Sequence, residues 1–98
     1  MSGAQAKSLE LSARQKRLLF RSWHRGMREM DLLLGRFANA EIGNLSESEL
    51  DSFELLLEAP DRDIFSWLTG EAEPPSAYKT PALQKIRAFH NHAGPIHI

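Results

Sequence analysis

Two stripes of helical period run along the same stretch of this 98-residue chain, and together they restrict its secondary structure severely. Leu19, Trp23, Met27, Met30, Leu34 and Phe37 recur at steps of four, four, three, four and three, the spacing of one helical face. Arg14, Arg17, Arg21, Arg25 and Arg28 recur at three, four, four and three. We read these as opposite sides, the apolar stripe in the core and the arginines in solvent. Gly26 interrupts both, and a glycine inside a helix costs about 1 kcal/mol relative to alanine. The pattern therefore predicts one helix over 13–24, a break or tight bend at Arg25-Gly26, and a second helix over 27–42 ended by Gly43-Asn44.

Helix signals continue to the end of the chain. Ser46-Glu47-Ser48-Glu49 has the spacing of a capping box, with Leu50, Phe53, Leu56 and Leu57 as the buried stripe behind it. Pro60 stops that helix, Asp61 is placed to cap a short one carrying Ile64, Phe65, Trp67 and Leu68, and Gly70 is placed to end it. Glu71-Ala72-Glu73-Pro74-Pro75-Ser76 reads as a loop, because two prolines resist helix and remove amide donors. Thr80-Pro81 opens a last helix with Leu83, Ile86 and Phe89 inward, and Gly94-Pro95 closes it. No alternating strand pattern, internal repeat or low-complexity block occurs. The expectation is an all-α, compact five-helix bundle, residues 1–98 forming a single helical domain with flexible ends at 1–12 and 95–98.

Composition narrows the chemistry. With no cysteine, disulfides, thiolate metal sites and cysteine nucleophiles are excluded. No apolar run approaches the roughly 20 residues that cross a bilayer, and the first seven residues lack the apolar block of a secretory signal. A cytoplasmic protein, without membrane insertion, is expected. The net charge of -1 conceals a strong asymmetry: +5 over residues 1–36, -9 over 37–75 and +3 over 76–98. A basic front on an acidic body can steer association with an acidic partner. A mixed solvated surface accounts for the charges equally well.

Catalytic and metal readings find little support. Glu29 and Asp31, two apart on a helix, face different directions and do not make an acid/base pair. His90 and His92 have the wrong spacing for two ligands on one helical face, and the four histidines are expected in solvent. No Gly-x-Gly occurs, so a dinucleotide fingerprint is missing.

The segment Arg25-Gly26-Met27-Arg28-Glu29, with Asp31 and a leucine-rich stretch behind it, resembles the Arg-Gly-x-x-Glu signature of the succinate dehydrogenase assembly factors that promote flavin attachment. A second block, Leu56-Leu57-Glu58 with Asp61, Asp63 and Trp67, resembles the later motif of that family, and the likeness covers about residues 14–90. The resemblance implies a non-catalytic factor that binds the flavoprotein subunit of succinate dehydrogenase, and in bacteria often that of fumarate reductase. It implies no tightly bound cofactor in this chain, which would act instead on attachment of FAD to a histidine of the partner. In a eukaryote it implies the mitochondrial matrix. Arg25, Gly26, Met27, Arg28, Glu29 and Asp31 are the partner-binding residues on this reading, and the free chain is expected to be a monomer.

The residue chemistry is consistent with that role. Gly26 allows a positive φ or close backbone approach, Glu29 suits the first turn of the second helix, and Arg25 and Arg28 carry planar forks for a partner's carboxylates. Two readings from other classes stand beside it. The arginine stripe could follow a phosphate backbone, as in a small nucleic-acid-binding helical domain, although the body is acidic. An antitoxin-like or other generic protein-binding module is the second.

Overall fold

The computed structural model describes residues 10–92. Five α-helices follow one another: α1 (Ala13–Trp23), α2 (Arg28–Glu41), α3 (Glu47–Leu57), α4 (Asp61–Thr69) and α5 (Pro81–His92). Short 3-10 turns at Ile42–Asn44 and Ser76–Tyr78 link α2 to α3 and α4 to α5. No strand occurs among the described residues, so the all-α five-helix expectation stands. The expected flexible ends fall mostly outside them, as do Gly94-Pro95 and His97. Order begins before residue 13: Leu11 packs half-buried on the core and Ser12 caps α1.

Local chemistry sets the boundaries. Ser12 and Gln15 form a reciprocal capping box on α1, as Ser46 and Glu49 do on α3. The Ser12 box has the Ser-x-x-Gln spacing of such a cap. Gly70 adopts φ 84° and ends α4 as predicted, since a left-handed cap favours glycine. Asp61 does not cap α4; Pro60 occupies the cap position and Asp61 is the first helical residue, where its carboxylate favours the positive end of the dipole. Thr80 Oγ1 accepts from the Leu83 amide at the start of α5.

One core joins all five helices. Leu18, Met30, Leu34, Phe37, Leu50, Phe53, Leu56, Ile64, Leu83 and Ile86 are all buried in it. Phe37 touches Phe53 and Phe89 at ring separations of 5.7 and 5.8 Å, tilted and edge-on, which are favourable aromatic geometries. The loop at 71–76 folds so that Pro74 is buried, while Tyr78 lies over Trp67 at 4.9 Å.

The apolar stripe read as one buried face is split by the turn at residues 24–27. Met30, Leu34 and Phe37 are buried, Leu19 and Trp23 are half-buried, and Met27 is 39% exposed. The chain reverses at the turn, so α1 meets α2 as an antiparallel hairpin and the register of the stripe does not cross it. In α1 the buried leucine is Leu18, not Leu19. Trp23 lies against α2 over Gly35, where a Cβ would overlap its ring, and its Nε1–H donates to Asn39.

The histidine expectation is also corrected. His24 is exposed, but His90 is only 8% exposed, and its Nε2–H donates to the Leu33 carbonyl at 2.8 Å. A carbonyl only accepts, so the proton on Nε2 is assigned by its partner. The helical environment that satisfies this ring comes from a residue 57 positions away.

Candidate functional site

The candidate site is the turn between α1 and α2 with the first turn of α2. His24 terminates α1, its amide bonding back to Arg21. Gly26 then takes φ 103°, a conformation that a side chain strains, and open space lies where its Cβ would stand. Met27 is the N-cap of α2 without a side-chain hydrogen bond. In place of a side-chain cap, Glu29 and Asp31 put negative charge in the first turn. Asp31 also reaches across the turn, its Oδ1 accepting from the Arg25 amide at 2.7 Å. That bond closes the loop and fixes the Gly26 backbone between its two ends.

The arginines depart from the solvent-facing stripe expected of them. Arg25 does not offer its fork to another protein. Its side chain is 11% exposed and turned inward across α3 and α4. Nη1 donates to the Leu57 carbonyl at 2.6 Å, Nη2 to the Ala59 carbonyl at 2.9 Å, and Nε to Asp61 Oδ1 at 2.8 Å. The guanidinium thus closes the C-terminal end of α3, where carbonyls lack helical partners, and ties it to the start of α4. Arg21 pairs with Glu58 at 2.8 Å. Arg14 meets Glu47, Asp51 and Glu54 at 3.1, 2.7 and 2.9 Å, and hydrogen bonds to Asp51 and Glu54 raise its pKa further. Arg14, Leu18, Arg21 and Ser22 share the α1 edge that faces α3, with Leu18 and Ser22 buried among the ion pairs and Arg25 continuing the line past the helix end.

This answers why the two sequence blocks occur together. The first supplies Arg25, with Arg21 one turn before it; the second supplies Leu57, Glu58 and Asp61, and the folded chain joins them by direct bonds. Leu56 and Trp67 of the second block are buried, whereas Asp63 is exposed. Gly26, Met27 and Arg28 are exposed beside one another, whereas Arg25, Glu29 and Asp31 are half-buried. Arg25 and Asp31 hold that surface from behind. The same bonds weaken the nucleic-acid reading, because three of the five stripe arginines are already matched to carboxylates.

Elsewhere, a groove of about 380 Å³ lies between α2 and α5, lined by Phe37, Glu41, Lys85, Ala88 and Phe89. Its cation, Lys85, is paired with Glu49 at 3.2 Å, so no unpaired cation lines the groove to meet a diphosphate. Among the described residues, no group of three or more His, Cys, Asp or Glu side chains is arranged to hold a metal, and no helix is long and apolar enough to cross a membrane.

Comparison with known proteins now bears on this geometry. The family described as "Flavinator of succinate dehydrogenase" matches residues 16–90. Over 78 residues the chain is 45% identical to "Succinate dehydrogenase assembly factor 2, mitochondrial" of Dictyostelium discoideum, covering 80% of this chain and 55% of that protein. It is 40% identical over 76 residues to "FAD assembly factor SdhE" of Acetobacter pasteurianus, covering 78% and 70%. A mitochondrial relative from Cryptococcus neoformans is 37% identical over 81 residues, covering 82% and 46%. The chain spans about half the length of these mitochondrial relatives. The family match takes in both sequence blocks, the Arg25 clamp that joins them and the exposed turn it supports, and the chain belongs to the family of flavinators of succinate dehydrogenase.

Proposed function

We propose that this chain binds the flavoprotein subunit of succinate dehydrogenase and promotes covalent attachment of FAD to it, without catalysing bond formation itself. The observation that carries the reading is the α1–α2 turn. It presents bare backbone at Gly26, a 39% exposed methionine and the Glu29 carboxylate on a scaffold locked by Arg25 and Asp31. A surface prepared in this way loses little conformational entropy on docking. The printed names of the relatives, an assembly factor of succinate dehydrogenase and an FAD assembly factor, support the choice of partner.

On this reading the chemistry of the bond resides in the flavin and the flavoprotein. The chain is a monomer when free, holds no flavin tightly, and stabilises a partner geometry in which histidine and flavin meet. That is a proximity effect supplied from outside.

Deleting the gene and measuring covalent flavin fluorescence of the flavoprotein subunit in a denaturing gel tests the proposal. Loss of the signal is expected; undiminished fluorescence refutes it. Gly26→Arg should leave the helices intact by circular dichroism, at a cost of about 1–2 kcal/mol for the positive φ, while abolishing capture of the subunit in a pull-down. Glu29→Ala should weaken the same complex, and an unchanged Kd removes Glu29 from the site.

A further inference from the structure

Two of the three sides of α1 have evident structural roles. One carries Arg14, Leu18, Arg21 and Ser22 against α3, and a second carries Gln15, Leu19 and Trp23 toward α2 and the turn that follows it. The third carries Ala13, Lys16, Arg17 and Phe20, with His24 just beyond the helix end, at three- and four-residue spacing, and all five are exposed. Phe20 is 62% exposed, more than Met27 at 39% or Leu55 at 42%. Its ring is not loose on the surface. His24 stacks on it at a centroid separation of 3.8 Å and 16° between planes, and His24 Nδ1–H donates to the Phe20 carbonyl at 2.7 Å. The two rings form a flat plate held by its own hydrogen bond, directly before the Gly26 turn.

The charged residues on this side of α1 are all basic. Lys16 and Arg17 lie about one helical turn before Phe20, and Arg28 stands exposed beyond Met27. None of these three makes an ion pair among the described residues, in contrast to Arg14, Arg21 and Arg25. α1 contains no acidic residue.

We infer that the Phe20–His24 plate, with Lys16 and Arg17 on its face of α1 and Arg28 just past the turn, is a second anchor for the partner: it takes an acidic protein surface that presents an apolar or aromatic side chain, next in the chain to the Gly26 turn. The inference rests on the reading that the chain docks on a flavoprotein subunit, and it specifies the chemistry of the patch that subunit must offer. The rings supply the apolar contact, prepaid in rigidity by their stack, and the three free cations supply register and attraction. A phosphate backbone is a poorer occupant, because the patch offers only these three cations and the -9 segment at 37–75 repels it.

Calorimetric titration of the full chain against the purified flavoprotein subunit of succinate dehydrogenase tests this. Wild type should bind, with Kd rising about fivefold or more between low and high salt as the charges are screened. Phe20→Ala should weaken binding about tenfold with its unfolding midpoint unchanged, and Phe20→Tyr, which keeps the ring, should stay within about twofold. Lys16→Glu with Arg17→Glu should weaken binding about tenfold at low salt and less at high salt. If Phe20→Ala and the charge reversal both bind like wild type while Gly26→Arg does not, the turn docks alone and the second anchor is wrong. Should the wild-type chain fail to bind the subunit, the partner reading and this inference fall together. Binding of a labelled DNA duplex as tightly as the subunit overturns the inference in favour of nucleic acid.

Discussion

The two charged sides of α1 are built from the same residue types and do opposite things. On the side facing α3, Arg14, Arg21 and Arg25 end on carboxylates and carbonyls of α3 and α4. On the outward side, Lys16 and Arg17 frame an exposed ring and make no ion pair among the described residues. The difference is position relative to the acidic segment, not composition. Within α1, Arg14 and Arg21, seven residues apart, both reach the acidic segment, whereas Arg17 between them points to solvent, because seven residues close two helical turns and three do not close one. The arginine closest to the signature glycine is therefore structural, while others in the same stripe remain available to a partner.

This contrast predicts that inward variants lose stability and outward variants lose only binding. The largest effect is expected at Arg25→Ala, which leaves the Asp61 carboxylate and the Leu57 and Ala59 carbonyls without their guanidinium. A loss of about 2–4 kcal/mol, read by urea unfolding, follows from unpairing partly buried polar groups. Arg25→Lys should recover less than half of it, since an ammonium lacks the fork that spans three acceptors. A stable Arg25→Ala protein that no longer captures the flavoprotein would reverse the assignment and put Arg25 in the interface. Gly35→Ala should cost about 1–3 kcal/mol through overlap with the Trp23 ring, checked by thermal unfolding. A Trp23→Leu background should relieve most of that loss.

The capping box of α3 gives a smaller, pH-dependent effect. Hydrogen bonding from the Ser46 amide, then from Lys85, holds the Glu49 carboxyl below its ordinary range. A depressed folded-state pKa adds stability above the unfolded carboxylate value, and that increment disappears as pH falls through the folded one. Glu49→Gln, which can keep the bond from Ser46 without the charge, should flatten this part of the stability profile on acid titration. The smallest stability change belongs to the outward side: Arg17→Ala should move unfolding by no more than about 0.5 kcal/mol. A larger shift would mean that the outward face is part of the scaffold after all.

Much of the fold was legible because its signals are local. Ser46 and Glu49, Gly70, the stop at Pro60 and the break at Gly26 each act within a few residues, through caps, a positive φ or a missing amide. The exposed turn at Gly26 and the place of Glu29 in the first turn of α2 were legible for the same reason. Arg25 was not, since its guanidinium is claimed by residues 32 to 36 positions away. Met27 was read both as part of the buried stripe and as a partner-binding residue; the stripe was drawn across the predicted break, and the structure leaves Met27 39% exposed. His90 was assigned to solvent because its partner, the Leu33 carbonyl, belongs to another helix.

The number and kind of elements, most of their caps and the turn at Gly26 follow from local sequence, since these depend on φ preferences and hydrogen bonds within a turn or two of chain. Only the tertiary structure decided which arginines are matched and which remain free. That choice depends on how the basic first helix lies across the acidic third, through charge pairs separated by more than thirty residues.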